Sequence, residues 1–280
     1  MIGIENIINL LELVVITGHI KGEQPVSVLL TAPPEAGKTT MVMKFVSNEG
    51  LVVLTDCTAY GIMRDYKESI TQGSVKHLVI PDLIRPMSRG KDTVHSLVAF
   101  LNALIEEGVI SISTYAETVG VQNQRNTATN QTPVRCGLIT TMAQGILGDG
   151  RHHWARMGFM SRMLPISYTY NAGTQLNIHR SIADRAYLSD AQIQLNLPDE
   201  DVQIILQAPQ TNDLITLASQ LNSITSANNP ERVYGFRLQK HLQRLAMASA
   251  LKNGRDIVNQ EDVEYLSSLS CFINLEYYPL

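Results

Sequence analysis

"LLTAPPEAGKTTMVMKF", running from Leu29 to Phe45, is the stretch whose reading decides the fold. The apolar run "PVSVLLTA" that enters it reads as a buried strand. A tight polar loop follows, and "KTTMVMKFVSN" reads as a helix packed on that strand. Strand, loop, Gly-Lys-Thr and helix in this order match the phosphate-binding pattern G-x-x-x-x-G-K-[ST]. Ala32 stands where the first Gly belongs, and Pro33, Pro34, Glu35 and Ala36 fill the loop. The first position chiefly needs a small residue for the turn, which Ala32 supplies if its φ is negative. Gly37 permits close approach of the backbone. In such loops successive N–H groups and the start of the helix surround the phosphates. Lys38 would reach the β- and γ-phosphates, and the Thr39 hydroxyl would ligate Mg²⁺. Ala32 through Thr40 is therefore the candidate nucleotide-binding segment, with ATP and Mg²⁺ as the expected cofactors.

The rest of the chain is consistent with a globular protein built around that loop. Its 280 residues suffice for one large domain or a core with a small second domain. The hydrophobic fraction is 44% and the charged fraction 17%, which leaves ample core material. A net charge of −4 excludes a uniformly basic surface but allows a local basic patch. Cys57, Cys136 and Cys271 are isolated and lack C-x-x-C spacing, so buried reduced thiols in a cytoplasmic protein are expected. The N-terminal "MIGIENIINLLELVVITGHI" carries Glu5 and Glu12 and no basic leader. It reads as an amphipathic helix, and no membrane partner is expected.

Further strands are expected at "GLVVLTD", "KHLVIPD", "VRCGLITTM" and "SRMLPISYTY". Between the second and third of these, "DTVHSLVAFLNALIEEG" repeats its apolar residues at helical spacing. Alternating strands and helices predict a parallel sheet covered on both faces. Ligands of such sheets sit at the carboxyl ends of the strands, where the loop, Asp82 and Thr140/Thr141 would converge. Composition changes near residue 171. "AQIQLNLPDEDVQIILQ" reads either as a short strand pair or as a strand entering a helix. Two helical stretches follow, "TNDLITLASQLNSIT" and "GFRLQKHLQRLAMASALKNG"; Leu238, Leu242 and Leu245 share one face of the second, which Ser249 continues. A last helix starts at Asn259, with Asp262 three residues on. The expected organisation is an α/β nucleotide-binding core over residues 1–170, with linker and helical lid over 171–280.

Over roughly residues 25–275 the chain resembles an AAA+ ATPase module, nearest to MCM-type helicases and related viral or archaeal ATPases. The resemblance rests on "APPEAGKT" as Walker A, "HLVIPD" as Walker B and "RCGLITTM" as the sensor-1 strand. It also rests on "GFMSRMLP", similar to the stretch that holds an arginine finger, and on "YGFRLQKHLQRLAMASAL", similar to the first lid helix. Arg237 and Arg244 in that helix keep the family's spacing of seven. The resemblance implies a P-loop three-layer αβα sheet with a small helical lid. It implies that Asp82 supports Mg²⁺, that Thr140 or Thr141 acts as sensor 1 (with Thr141 favoured), and that Arg162 is the finger. It further implies Arg237 at the nucleotide, and a homo-oligomeric ring or filament acting on DNA or on a protein chain.

Plainer readings stand beside these. Asp82 could start a turn, Thr140 and Thr141 could be ordinary strand residues, and Arg162 could be a surface charge with Arg156 as the competing finger. Arg237 could pair with a carboxylate such as Glu231. His152 and His153 lack a third metal ligand at useful spacing. The polar segment 120–133 falls where related proteins carry a pore hairpin, and it reads equally as a pore-lining element or as a solvated loop. The main departure follows Asp82: the family has Asp-Glu there, and this chain has Asp82-Leu83. A shifted register would put Pro81 at the metal position and Asp82 at the base position. Either way one carboxylate remains, with Glu106, Glu107 or Glu117 as substitutes if the fold brings them near. Two functions are consistent with this: an ATP-hydrolysing motor, or a nucleotide-controlled assembly scaffold with slow or no hydrolysis.

Overall fold

A computed structural model describes residues 2–109, 133–146, 158–185, 191–226 and 235–274. Five strands form one sheet: β1 (Val28–Ala32), β2 (Leu51–Val53), β3 (His77–Ile80), β4 (Gly137–Ala143) and β5 (Leu164–Ser167). Their order is β2-β3-β4-β1-β5, and every neighbouring pair is parallel. β1 is therefore an interior strand, flanked by β4 and β5, as its five buried residues require.

Alternation along the strands sends side chains to two separate cores. Val28, Leu30 and Ala32 of β1, with Val79 and Ile139, face one side. They meet α1 (Glu5–Ile16), α2 (Lys38–Met43) and the C-terminal helices. Leu29, Leu78, Ile80 and Leu138 face the other side. They meet α3 (Ala59–Thr71) and α5 (Lys91–Asn102), while the short α4 (Ile84–Met87) follows β3. The result is the expected three-layer α/β sandwich.

Several helix boundaries have visible chemical causes. Thr58 caps α3 by accepting from the Gly61 N–H at 3.0 Å. Asn171 caps α6 (Ala172–Ala183), accepting from Thr174 at 2.9 Å. α5 runs on into a π-helical turn at Ala103–Glu107, which ends at Gly108.

"AQIQLNLPDEDVQIILQ" is neither a strand pair nor a strand entering a helix. It is an extended strap from Ala191 onward. Asn48 Nδ2 and Oδ1 bond the backbone of Ile193 and Leu195 at 2.8 Å each, so the end of the α2 segment satisfies the strap in place of a second strand. Isolated bridges then tie Val202 to Ile20 and Ile205 to Ile257. Beyond the strap lie α7 (Ala208–Ser226), α8 (Phe236–Lys252) and α9 (Gln260–Leu269). α9 starts with a reciprocal capping box between Asn259 and Asp262. Leu242, Leu245 and Ser249 are buried on α8 as their spacing predicts. Among the described residues no helix is long and apolar enough to cross a membrane.

Candidate nucleotide site

β1 delivers Ala32 to the carboxyl edge of the sheet, and α2 begins six residues later at Lys38. The turn between them uses left-handed backbone twice, at Glu35 (φ 64°) and Gly37 (φ 78°). Gly adopts that conformation freely, whereas at Glu35 it costs about 1 kcal/mol. Ala32 itself is not among the residues with positive φ, so the substitution for the usual Gly is tolerated. The Lys38 ammonium donates to the carbonyls of Ala32 at 3.0 Å and Pro33 at 2.7 Å. It is thus folded over the loop that would hold phosphates. Burial lowers the Lys38 pKa, and the nearby Asp82 charge opposes that shift.

The end of β3 supplies the second side of the site. Thr141 Oγ1 donates to the Pro81 carbonyl at 2.7 Å, and Thr39 Oγ1 donates to the same carbonyl at 3.4 Å. Thr140 instead bonds the Ile80 carbonyl at 2.7 Å and is fully buried. Thr141, rather than Thr140, therefore joins the loop side of the strand. Asp82 Oδ1 accepts from the Ile84 N–H at 3.1 Å, which starts the α4 turn. The plain turn-starting role and the site role coexist in this one carboxylate, because its second oxygen takes no such bond among the described residues. A Thr hydroxyl and one carboxylate flanking Pro81 are hard oxygen donors of the kind Mg²⁺ takes alongside phosphates and water. Among the described residues no group of three or more His, Cys, Asp or Glu side chains could hold a metal alone. A nucleotide-borne Mg²⁺ needs no such group.

Two residues that sequence reading missed hold the loop from beneath. Tyr168 and Tyr170 both donate their hydroxyls to the Ala36 carbonyl, at 2.7 and 2.8 Å. Their rings meet edge to face with centroids 5.7 Å apart. Burial pushes both phenol pKa values upward, so the protons stay on the oxygens that donate them. "SRMLPISYTY" reads as a strand, and nothing in it links its last residues to the loop.

Arg162 and Arg237 lie at the other edge of the sheet. Arg162 ends a short 3₁₀ turn just before β5, and Leu164 pairs with Val28, the first residue of β1. Ala32, by contrast, pairs with Ala143 at the far end. About four residues of strand, some 13 Å, separate the two edges. Arg237 Nε donates to Glu106 Oε2 at 2.8 Å, and its NH1 donates to Ser161 Oγ at 3.1 Å. Arg162 NH1 donates to the Gly158 carbonyl at 2.8 Å, and its Nε lies 3.7 Å from the same Glu106 oxygen.

Within one chain, then, Lys38, Thr39, Asp82 and Thr141 come together, and Arg162 and Arg237 do not join them. Glu106 and Glu107 are not at the Asp82 site either. The π-turn carries them to the start of β4, where Arg135 Nε donates to the Glu106 carbonyl. The alternative acid Asp56 is engaged with Arg89 at 2.5 Å. Glu117, Arg156, Glu231, His152, His153 and nearly all of segment 120–133 lie outside the described residues. Arg244 pairs with Glu23 at 3.0 Å.

No protein-family model matches this chain, and no curated protein matches it. The fold does have solved counterparts. One is the crystal structure of a "putative ATPase" from Cytophaga hutchinsonii, with a TM-score of 0.52 at 15% identity. The match covers 99% of this chain and 83% of that one. The chain therefore has an α/β fold of the kind found in that protein, extending through the C-terminal helices.

Proposed function

We propose that this chain binds ATP with Mg²⁺ and hydrolyses it as an AAA+-type ATPase assembled head to tail. The reading is carried by one observation: the loop lysine, the Thr39 hydroxyl, the Asp82 carboxylate and the Thr141 hydroxyl meet at the carboxyl edge of a parallel sheet. Lys38 would hold the β- and γ-phosphates, and Thr39 with Asp82 would support Mg²⁺. Phosphoryl transfer depends mainly on positioning and charge stabilisation, so an arginine near the γ-phosphate is the missing element. Arg162 and Arg237 sit together on the opposite edge, which supports their delivery from a neighbouring subunit. A head-to-tail contact of that type closes into a ring or continues as a filament. DNA as the substrate of such a motor rests on the MCM-like order of motifs in the sequence alone, for which no family model gives a match.

The second reading, an ATP-controlled scaffold with slow hydrolysis, is favoured by Leu83. That residue, fully buried, stands where the family has its second carboxylate. Steady-state ATPase turnover with and without single-stranded DNA, together with particle size in ATP and ADP, tests both readings. The motor reading expects DNA-stimulated turnover and ATP-dependent assembly. Assembly without turnover supports the scaffold, and neither response refutes both.

A further inference from the structure

The arginine edge contains an acid that the nucleotide chemistry does not use. Glu106 sits in the π-helical turn at the end of α5, a geometry in which one extra residue re-aims the side chains that follow. Leu104 and Ile105 stay buried in the core, and Glu106 is turned toward the lid. Its Oε2 lies 2.8 Å from Arg237 Nε and 3.7 Å from Arg162 Nε. One carboxylate oxygen thus faces the Nε edges of both guanidinium groups. Without it, two cations gathered at one place would repel each other.

The remaining contacts fix each fork from the side. Arg162 NH1 is held by Gly158 and Arg237 NH1 by Ser161, whose own hydroxyl donates to the Gly158 carbonyl at 3.0 Å. Arg162 NH2 faces only the largely exposed Glu107, at 3.8 Å. The Arg162 side chain is 16% exposed and that of Arg237 39%, so both are partly covered yet retain an outward edge. The arrangement also ties α8 of the lid to the α5 turn of the core.

We propose that Glu106 is a positioning residue that aims Arg162 and Arg237 together at the nucleotide of an adjacent subunit. This rests on the reading that the arginines act in trans. A carboxylate on the Nε side, bonded to Arg237 and 3.7 Å from Arg162, leaves the NH2 groups to meet phosphate oxygens, a contact for which Arg is suited. Outer-shell partners that orient metal ligands act in the same way, and removing one typically lowers activity by about 10–100-fold.

The test is ATP turnover by the full-length chain carrying Glu106→Gln, measured beside ATP affinity, assembly size in ATP and thermal unfolding. The expected result is a fall in kcat of about tenfold or more, with KM for ATP and assembly size little changed. Glu106→Asp keeps the charge and should recover part of that loss; it also serves if the Gln variant does not fold. A cycle isolates the pathway: in an Arg162→Ala, Arg237→Ala background, Glu106→Gln should have no further effect on turnover. An unchanged or raised kcat in the single variant overturns the proposal, as does an equal loss in the doubly substituted background. If Arg162→Ala and Arg237→Ala leave turnover intact, the trans reading fails and Glu106 falls with it. If they lower turnover and Glu106→Gln does not, only the Glu106 assignment fails.

Discussion

The two edges of the central sheet solve different problems with different chemistry. At the carboxyl edge a single ammonium, Lys38, is bonded to backbone carbonyls, and two hydroxyls converge on the Pro81 carbonyl beside one acid. Backbone partners of this kind are neutral, so an arriving phosphate can displace them at modest cost. At the amino edge two guanidinium groups face a carboxylate, which bonds Arg237 at 2.8 Å and offsets part of the charge of Arg162 from 3.7 Å. The first edge is suited to receiving an anion. The second is suited to holding two cations side by side, with Arg162 anchored on the Gly158 carbonyl and Arg237 on Glu106 and Ser161. The difference is what a nucleotide site divided between two copies of one chain would need.

Lys38→Ala should break the receiving edge most completely. Lys38 is the cation bonded to the loop carbonyls of Ala32 and Pro33, so ATP affinity should fall at least about 100-fold, the scale of a lost charge-assisted contact of ~3 kcal/mol. Retained affinity in a direct titration would remove the phosphate-loop assignment. Asp82→Asn sharpens the same edge more mildly. The fold should persist, because an amide oxygen can still accept from Ile84, while the Mg²⁺ concentration for half-maximal turnover rises by about tenfold. An unchanged Mg²⁺ dependence would leave Asp82 with its turn-starting role alone. Tyr168→Phe removes one of the two donors to the Ala36 carbonyl. At about 1 kcal/mol for such a bond, ATP affinity should weaken roughly fivefold, and an unaltered affinity would show that Tyr170 alone fixes the loop.

A pH titration probes buried groups on the same sheet and on the lid. Burial depresses His77 to about 3, and a contact with the Val26 backbone pulls the other way. Burial also depresses His241 to about 3, helped by the charges of Arg244, Arg237 and Lys240, while a contact with the Arg162 backbone opposes this. His77 has little freedom to move, since a Cβ on Gly137 would collide with its ring. Folded pKa values below the unfolded value of 6.5 mean that the unfolded chain takes up protons first. Stability is then complete above about pH 6.5 and declines as pH falls toward 3, by about 1.4 kcal/mol per pH unit for each histidine. Denaturant midpoints at pH 7 and pH 5 check the sign; a midpoint that does not fall at pH 5 would contradict it.

The carboxyl-edge cluster was legible in its parts, while the contacts of Thr39 and Thr141 with Pro81 span 42 and 60 residues and have no local signature. Lys38 and Thr39 follow Gly37 directly, and Asp82 ends a short apolar run, so spacing alone places them at strand ends. The presenting edge was legible only in part. "GFMSRMLP" marked Arg162, but the partner of Arg237 is 131 residues distant. The π-turn that aims Glu106 has no signature in "NALIEEG", which reads as an ordinary continuation of α5. α6 was missed because its exposed face carries no apolar stripe directed into the core. The strap at 191–207 alternates like a strand. Asn48 and the Lys44 carbonyl take up its backbone groups, and no periodicity reports such contacts.

Mixing two inactive variants tests the divided site most directly. Arg162→Ala should lower turnover by about 10³–10⁵ while leaving ATP binding intact. Lys38→Ala should be inactive for want of bound ATP. In a mixed assembly some contacts pair an intact Lys38 loop on one copy with an intact Arg162 on its neighbour. Turnover in the mixture should then rise well above that of either variant alone. A mixture that stays inactive, although the two variants co-assemble by light scattering, would contradict the account.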